Sequence, residues 1–344
     1  MKTFKNFLKT IPLAFVLLTA CSKDDDSPVT KESIYITTTE YEEGKPGVIK
    51  LWKDGETTSI TDGMHDAWAT DLSINGDDIY IIGHQRNNND KSVATSWKNG
   101  ISTSLSNIAD NHSYAFDSFI YNNDVYIVGS EKKTNENTKA TLWKNGAITH
   151  LTDGITNAYA YGVFVTNNDV YVVGSVVNSI GKSVATLWKN GIPTSLIDGT
   201  SSSTSKCIYV YNNKVYIAFF EIDSKGKFFT KLWKDGQITT LSEGSHSNPT
   251  GLIVDDSENV YITGYVVENG IPVTKLWKNG EETNLSDGIH HAYPARIAIH
   301  NNNIYVTGYT VINSISIATL WKNGESIYLS EGNKETYATG IFIK

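Results

Sequence analysis

The stretch Leu187-Trp188-Lys189-Asn190-Gly191, reading LWKNG, organises the whole chain. Variants of it occur seven times, with tryptophans at Trp52, Trp97, Trp143, Trp188, Trp233, Trp277 and Trp321, spaced 45, 46, 45, 45, 44 and 44 residues apart. A fixed period of this length, carrying strand-like segments, marks a repeat architecture. Asn-Gly and Asp-Gly accept the positive φ angles of a two-residue type I′ turn, whose twist matches the strands it joins. Each LWKNG therefore reads as the end of one strand, a hairpin, and the start of the next.

Working outward, one full unit runs from Tyr159 to Leu196. It holds strands through Val163-Phe164-Val165, Val170-Tyr171-Val172-Val173, Ala185-Thr186-Leu187-Trp188 and Pro193-Thr194-Ser195-Leu196, separated by turn residues. Four short antiparallel strands in about 45 residues predict a β-propeller blade. The first-strand position recurs seven times, at Leu72, Ser118, Val163, Ile208, Ile253, Ile297 and Ile341. The second-strand position also recurs seven times, from Ile34 to Ile304. The repeat enters at a second strand and ends on a first strand. The expected fold is all-β: a single seven-bladed β-propeller of four-stranded blades over residues 33–344. One blade is closed by a C-terminal strand joining three N-terminal strands. A linear solenoid would need capping repeats instead.

The 344 residues carry a formal charge of −8, and only two arginines, Arg86 and Arg296. Setting aside Lys2, Lys5 and Lys9 leaves 26 basic against 37 acidic residues, a balance of −11. Nucleic acid is excluded as a partner, since binding it depends on cationic neutralisation of phosphates. Cys21 and Cys207 are too few for a disulfide framework, and Cys207 reads as a small buried hydrophobe.

Lys2, Lys5 and Lys9 form a positive n-region, Ile11 to Leu18 a short apolar h-region, and Leu18-Thr19-Ala20-Cys21 a small-residue closure. The apolar run is too short to span a bilayer, so residues 1–20 are expected to be a signal peptide. The closure resembles the bacterial lipobox. That resemblance implies acylation of Cys21, with palmitate-type chains anchoring the protein in the outer-membrane lipid. Residues 21–32 then form an acidic linker, and Ser22-Lys23-Asp24-Asp25-Asp26 resembles the export signal of Bacteroidetes surface lipoproteins. The implied address is the outer membrane, exposed at the cell surface.

The repeated A-T-L-W-K-N-G pattern, followed by T-x-L and V-x-G, resembles the extracellular HAF-type repeat with its A-x-L-W-x-x-G core. The likeness covers nearly all of residues 34–344 but lacks the His-Ala-Phe triplet; His291-Ala292-Tyr293 lies elsewhere in the unit. It implies a cell-surface propeller and brings no catalytic residues.

Units that agree describe packing, so function is sought where they differ. The loops between second and third strands, and the links between blades, are long and variable, and share one face. Near the links one column reads Trp68, Tyr114, Tyr159, Thr204, Asn248, Tyr293 and Tyr337. His65, His112, His246, His290 and His291 sit just before it. These rings could stack on sugar faces while polar neighbours bond hydroxyls; alternatively they wedge between blades. A second column reads Asp71, Asp117, Gly162, Cys207, Gly251, Arg296 and Gly340. Here Arg296 could hold a ligand's carboxylate, or it could close an internal Asp–Arg–Asp network.

No G-x-S-x-G elbow, Walker loop, H-E-x-x-H, C-x-x-C or EF-hand loop occurs, and no cofactor or metal set is expected. Three readings remain. The first is a non-catalytic module binding a polysaccharide or a surface protein through the variable face. The second is a lyase with His112 or His65 as base and Arg296 neutralising a uronate. The third is a structural part of an outer-membrane assembly.

Overall fold

A computed structural model describes residues 32–106, 111–244 and 246–344. The leader, Cys21 and most of the acidic linker lie outside these residues. From Ser33 onward the chain forms one compact unit of seven four-stranded antiparallel sheets. The innermost strands of blades 1 to 7 are Ala67–Asn75, His112–Tyr121, Ala158–Thr166, Ser202–Tyr211, Ser247–Val254, Ala292–His300 and Glu335–Ile343. Each lies against the innermost strands of both neighbouring blades, which closes a ring. In blade 7 that strand pairs with Ile34–Tyr41, followed outward by Val48–Lys53 and Glu56–Ser59. The seven-bladed propeller closed by a C-terminal strand is therefore the observed fold.

The LWKNG stretch turns out to be three devices in one. In blade 3 both turn residues have positive φ, 52° at Asn190 and 81° at Gly191, as a type I′ hairpin requires. The Asn190 side chain accepts the backbone N–H of Val170 at 2.8 Å and donates to Asp169 at 2.8 Å. The first of these bonds recurs in all seven blades, to Asn or Asp. The lysine lies over the second-strand tyrosine, 4.9 to 5.2 Å from the ring centroid in every blade. Lys98, Lys144 and Lys189 also pair with Asp78, Asp124 and Asp169. The tryptophan fills the space between blades, and Trp97, Trp143, Trp188, Trp277 and Trp321 are buried. Truncating a buried aromatic of this size costs about 3–5 kcal/mol, so this column holds the ring together.

Every innermost strand carries a β-bulge, between Ala69 and Asp71, Ala115 and Asp117, Ala160 and Gly162, and their equivalents. The second-strand glycine is a consequence. A Cβ on Gly174 would stand 1.9 Å from the Tyr159 carbonyl oxygen, and one on Gly83 would stand 1.9 Å from that of Trp68. In five blades a glycine lets the bulged backbone come this close; blades 4 and 7 carry Phe219 and Thr38 opposite the bulge instead.

One register corrects the sequence reading. Leu252, not Ile253, is the blade 5 counterpart of Val163, since it pairs with Ile262, which in turn opposes Trp277. Blade 5 has a longer turn over residues 255–259, where Asp255 accepts the backbone N–H groups of Ser257 and Asn259. Counting back from the shorter turns of the other blades shifts the assignment by one, which in a strand swaps the faces. Leu252 is buried in the core and Ile253 is not.

Candidate functional site

The bulges decide what lines the central channel. The extra residue in each is Thr70, Phe116, Tyr161, Lys206, Thr250, Ala295 or Thr339. All seven line one cavity of 590 Å³, joined by Trp68, Asn248, Pro249 and Arg296. A second cavity of 280 Å³ continues along the inner strands past Asp71, Asp117 and Cys207, and Lys206, Thr250 and Arg296 line both. None of the bulged residues was singled out from the sequence. An ideal strand alternates, so nothing in a plain reading marks an extra residue; the recurrent V-x-G glycine opposite five of the seven bulges was the available signal.

Arg296 spans the channel from blade 6 to blades 1 and 2. Its Nε donates to Asp71 at 3.1 Å, and its Nη2 donates to Asp117 at 2.9 Å and to the Phe116 carbonyl at 2.9 Å. Asp71 also accepts Ser118 N–H and Oγ–H, at 3.0 and 2.7 Å, and Asp117 accepts Val163 N–H at 2.8 Å. Of the two roles open to Arg296, the internal network is the one the structure shows. Burial, and then the neighbouring Asp71, push the Asp117 carboxyl well above its ordinary range, against the pull of Arg296. The small members of this column serve the ring. A Cβ on Gly340 would meet the Leu72 backbone nitrogen at 2.6 Å, and one on Gly251 would meet Ile297 at 2.8 Å. Cys207 is buried and unpaired, with its thiol pushed up to about 12 by burial.

The ring column divides. Trp68, Tyr114, Tyr159, Tyr293 and Tyr337 are all half-buried. Several contacts cross between blades: Trp68 to Tyr337 at 5.1 Å, Tyr265 to Tyr293 at 5.1 Å, Tyr309 to Tyr337 at 4.8 Å and His84 to Tyr114 at 4.9 Å. The wedge role is thus present, and of this column only Trp68 and Asn248 reach the channel cavity. Phe116 and Tyr161, 5.1 Å apart, extend the aromatic lining there. Around the cavity the aromatic lining is therefore Trp68, Phe116 and Tyr161.

The histidines do not converge on Arg296, and none lines either channel cavity. His65 is exposed at a separate cavity of 410 Å³ with Arg86, and Arg86 itself pairs with Asp66 and Asp90. His112 stacks on Tyr114 at 6.5 Å, and burial lowers its pKa. His290 is bonded to Asp287 at 2.7 Å, and His291 is exposed. Among the described residues no three His, Cys, Asp or Glu side chains are grouped to hold a metal ion.

No family model matches the chain, and no curated protein matches it. Solved structures similar to it include the β-propeller domain of the Trilobed protease from Pyrococcus furiosus. That domain has an open velcro topology, is 12% identical, and gives a TM-score of 0.53 over 88% of this chain and 95% of its own. A puromycin-hydrolyzing peptidase from Mycobacterium tuberculosis is 10% identical with a TM-score of 0.52, matching 86% of this chain. A puromycin hydrolase is 10% identical with a TM-score of 0.53 over 78% of this chain. The chain spans 54% and 47% of the length of these last two. Likeness at this level shows the β-propeller fold, and no more.

Proposed function

We propose that this protein is a non-catalytic, cell-surface lipoprotein that recognises a glycan through the variable face of its propeller. The observation that carries the reading is the 590 Å³ channel mouth, which combines Trp68, Phe116 and Tyr161 with Thr70, Asn248, Thr250 and Thr339. Rings with a few placed hydroxyl and amide groups suit a sugar, whose apolar faces stack while its hydroxyls bond. The dispersed histidines weigh against a lyase, because proton abstraction needs a base within hydrogen-bond reach of the reacting carbon. The surface address is supported by the lipobox-like closure at Cys21, the acidic residues after it, and the repeat's resemblance to extracellular HAF-type propellers.

The test is affinity electrophoresis of the chain from Ser22 onward through gels containing neutral and acidic polysaccharides. Retardation by at least one of them is expected, and Trp68→Ala should weaken it by roughly tenfold or more, as aromatic anchors do. His112→Ala should leave it unchanged. If no polysaccharide retards the protein, the glycan reading falls. A protein partner would then be favoured by Met64, Ile155 and Ile289, large side chains 72 to 78% exposed on the link loops. Each is held outward by an Asp that accepts its backbone N–H at 2.9 Å.

The anchor is tested separately. Replacing Cys21 by Ala in the full chain should move the protein from the membrane fraction to the soluble fraction and abolish labelling by palmitate. Labelling that survives the substitution would sink the lipoprotein assignment.

A further inference from the structure

Among the described residues Lys206 is the one lysine lining the channel cavities. It is the bulged residue of blade 4, lines both halves of the channel, and lies 3.8 Å from the centroid of the Tyr161 ring. It has no carboxylate partner among the described residues. Several other partly or fully buried lysines of the blades are paired, as Lys50 is with Glu40, Lys231 with Glu221 and Lys275 with Glu282. The two carboxylates of the channel, Asp71 and Asp117, are both held by Arg296. A cation withdrawn from water, without a counter-ion but open to a cavity, is a ready receptor for an anion.

We propose that Lys206, with the Tyr161, Phe116 and Trp68 rings, binds the carboxylate of a terminal acidic sugar entering the channel from the variable face. This rests on the glycan reading above and narrows it to chains ending in a hexuronate. The cavity lies within the roughly 300–1,000 Å³ of small-ligand sites. The rings offer stacking surfaces on one side of a pyranose, and the threonines and Asn248 offer partners for its hydroxyls. A terminal carboxylate fits better than a repeating polyanion, because the chain's formal charge of −8 repels multiple negative charges, whereas a single charge inside the mouth is screened from the rest beyond about 8 Å.

Burial supports the same picture by holding the Lys206 amine down to about 8. A bound carboxylate would pull it back up, so binding is linked to protonation. The cation is present in the free protein below that value and lost above it. Affinity for the acid should therefore be constant at lower pH and fall above about pH 8.

The experiment is calorimetric titration of the chain from Ser22 onward with a trisaccharide ending in glucuronate and with its methyl ester, from pH 6 to 9. The ester keeps the sugar and removes the charge. The acid should bind about tenfold more tightly than the ester near pH 7, a difference of about 1.4 kcal/mol, and the preference should fade above pH 8. Lys206→Met should erase the preference and its pH dependence while ester binding stays within about twofold. Its melting curve should match or exceed the wild type's, because the change removes an unpaired charge that is partly withdrawn from water. A preference that persists in Lys206→Met, or equal binding of acid and ester by the wild type, overturns the inference and leaves the glycan reading standing. Binding of neither ligand also overturns it; retention by a neutral polysaccharide in the gel assay then keeps the broader reading, and no retention removes both.

Discussion

A chain ending at Lys334, without the strand Glu335–Ile343, is expected not to fold. That strand is the innermost of blade 7 and pairs along its length with Ile34–Tyr41. Its Ala338 and Ile341 complete a cluster with Ile36, Tyr305, Ala318 and Leu320. Removing it opens the ring between blades 6 and 1, bares an edge strand, and exposes an apolar face on each neighbour. The damage is not confined to one blade, because every blade buries its faces only against the next. Circular dichroism and resistance to proteolysis are the measurements. The truncated chain should lose both the β-sheet signal and the protease-resistant body; a cooperative melt near that of the full chain would disprove the closure argument. A rearranged chain provides the rescue. Ser33 N–H donates to the Lys344 carbonyl at 2.7 Å, and Lys344 N–H donates to Ser33 at 3.1 Å. Residues 335–344 joined through Asn-Asn to Ser33, ahead of 33–334, should therefore rebuild a hairpin like Asn167-Asn168, both of positive φ, and restore folding.

Arg296→Leu has the next largest expected effect. It leaves Asp71 and Asp117, on the adjacent blades 1 and 2, without their shared cation. Breaking a buried pair on one side costs about 3–5 kcal/mol; with the Arg296 side chain 24% exposed, roughly 2–3 kcal/mol is the expectation after solvent screening. Chemical denaturation should show the loss at pH 7, and Asp117→Asn should recover most of it in the double variant. The pH dependence has a definite sign. The Asp117 carboxyl is already raised above its unfolded value, and losing Arg296 raises it further. The Asp117 contribution to the variant's stability should therefore be fully present below the unfolded carboxylate value and lost as pH rises through the folded one, so the deficit relative to the wild type should shrink towards acid pH. A variant whose denaturation midpoint matched the wild type's would show that the network contributes nothing.

The repeat was legible because its parts are local. The Asn-Gly turn, the spacing of the tryptophans and the alternation of the strands all act within one blade, and their period counts the blades. The two columns at Trp68 and Asp71 could be aligned for the same reason. The alternative roles of Arg296 could not be separated, since its partners lie 225 and 179 residues away. The ring column was left open between two roles for a related reason. Tyr114, Tyr293 and Tyr337 contact rings of a neighbouring blade, as Trp68 does, but of these four only Trp68 also lines the channel cavity. That contact depends on how adjacent sheets splay, which no single repeat encodes.

By itself the sequence determined an all-β, seven-bladed ring, because turn chemistry and hydrophobic period are properties of adjacent residues. It also determined where the ring closes, because the repeat is split between its two ends. Only the tertiary structure decided what faces the channel. Seven bulges, each permitted by close backbone approach, turn Thr70, Phe116, Tyr161, Lys206, Thr250, Ala295 and Thr339 towards the axis. A bulge changes direction without changing composition, so its effect appears only when the strands are assembled side by side.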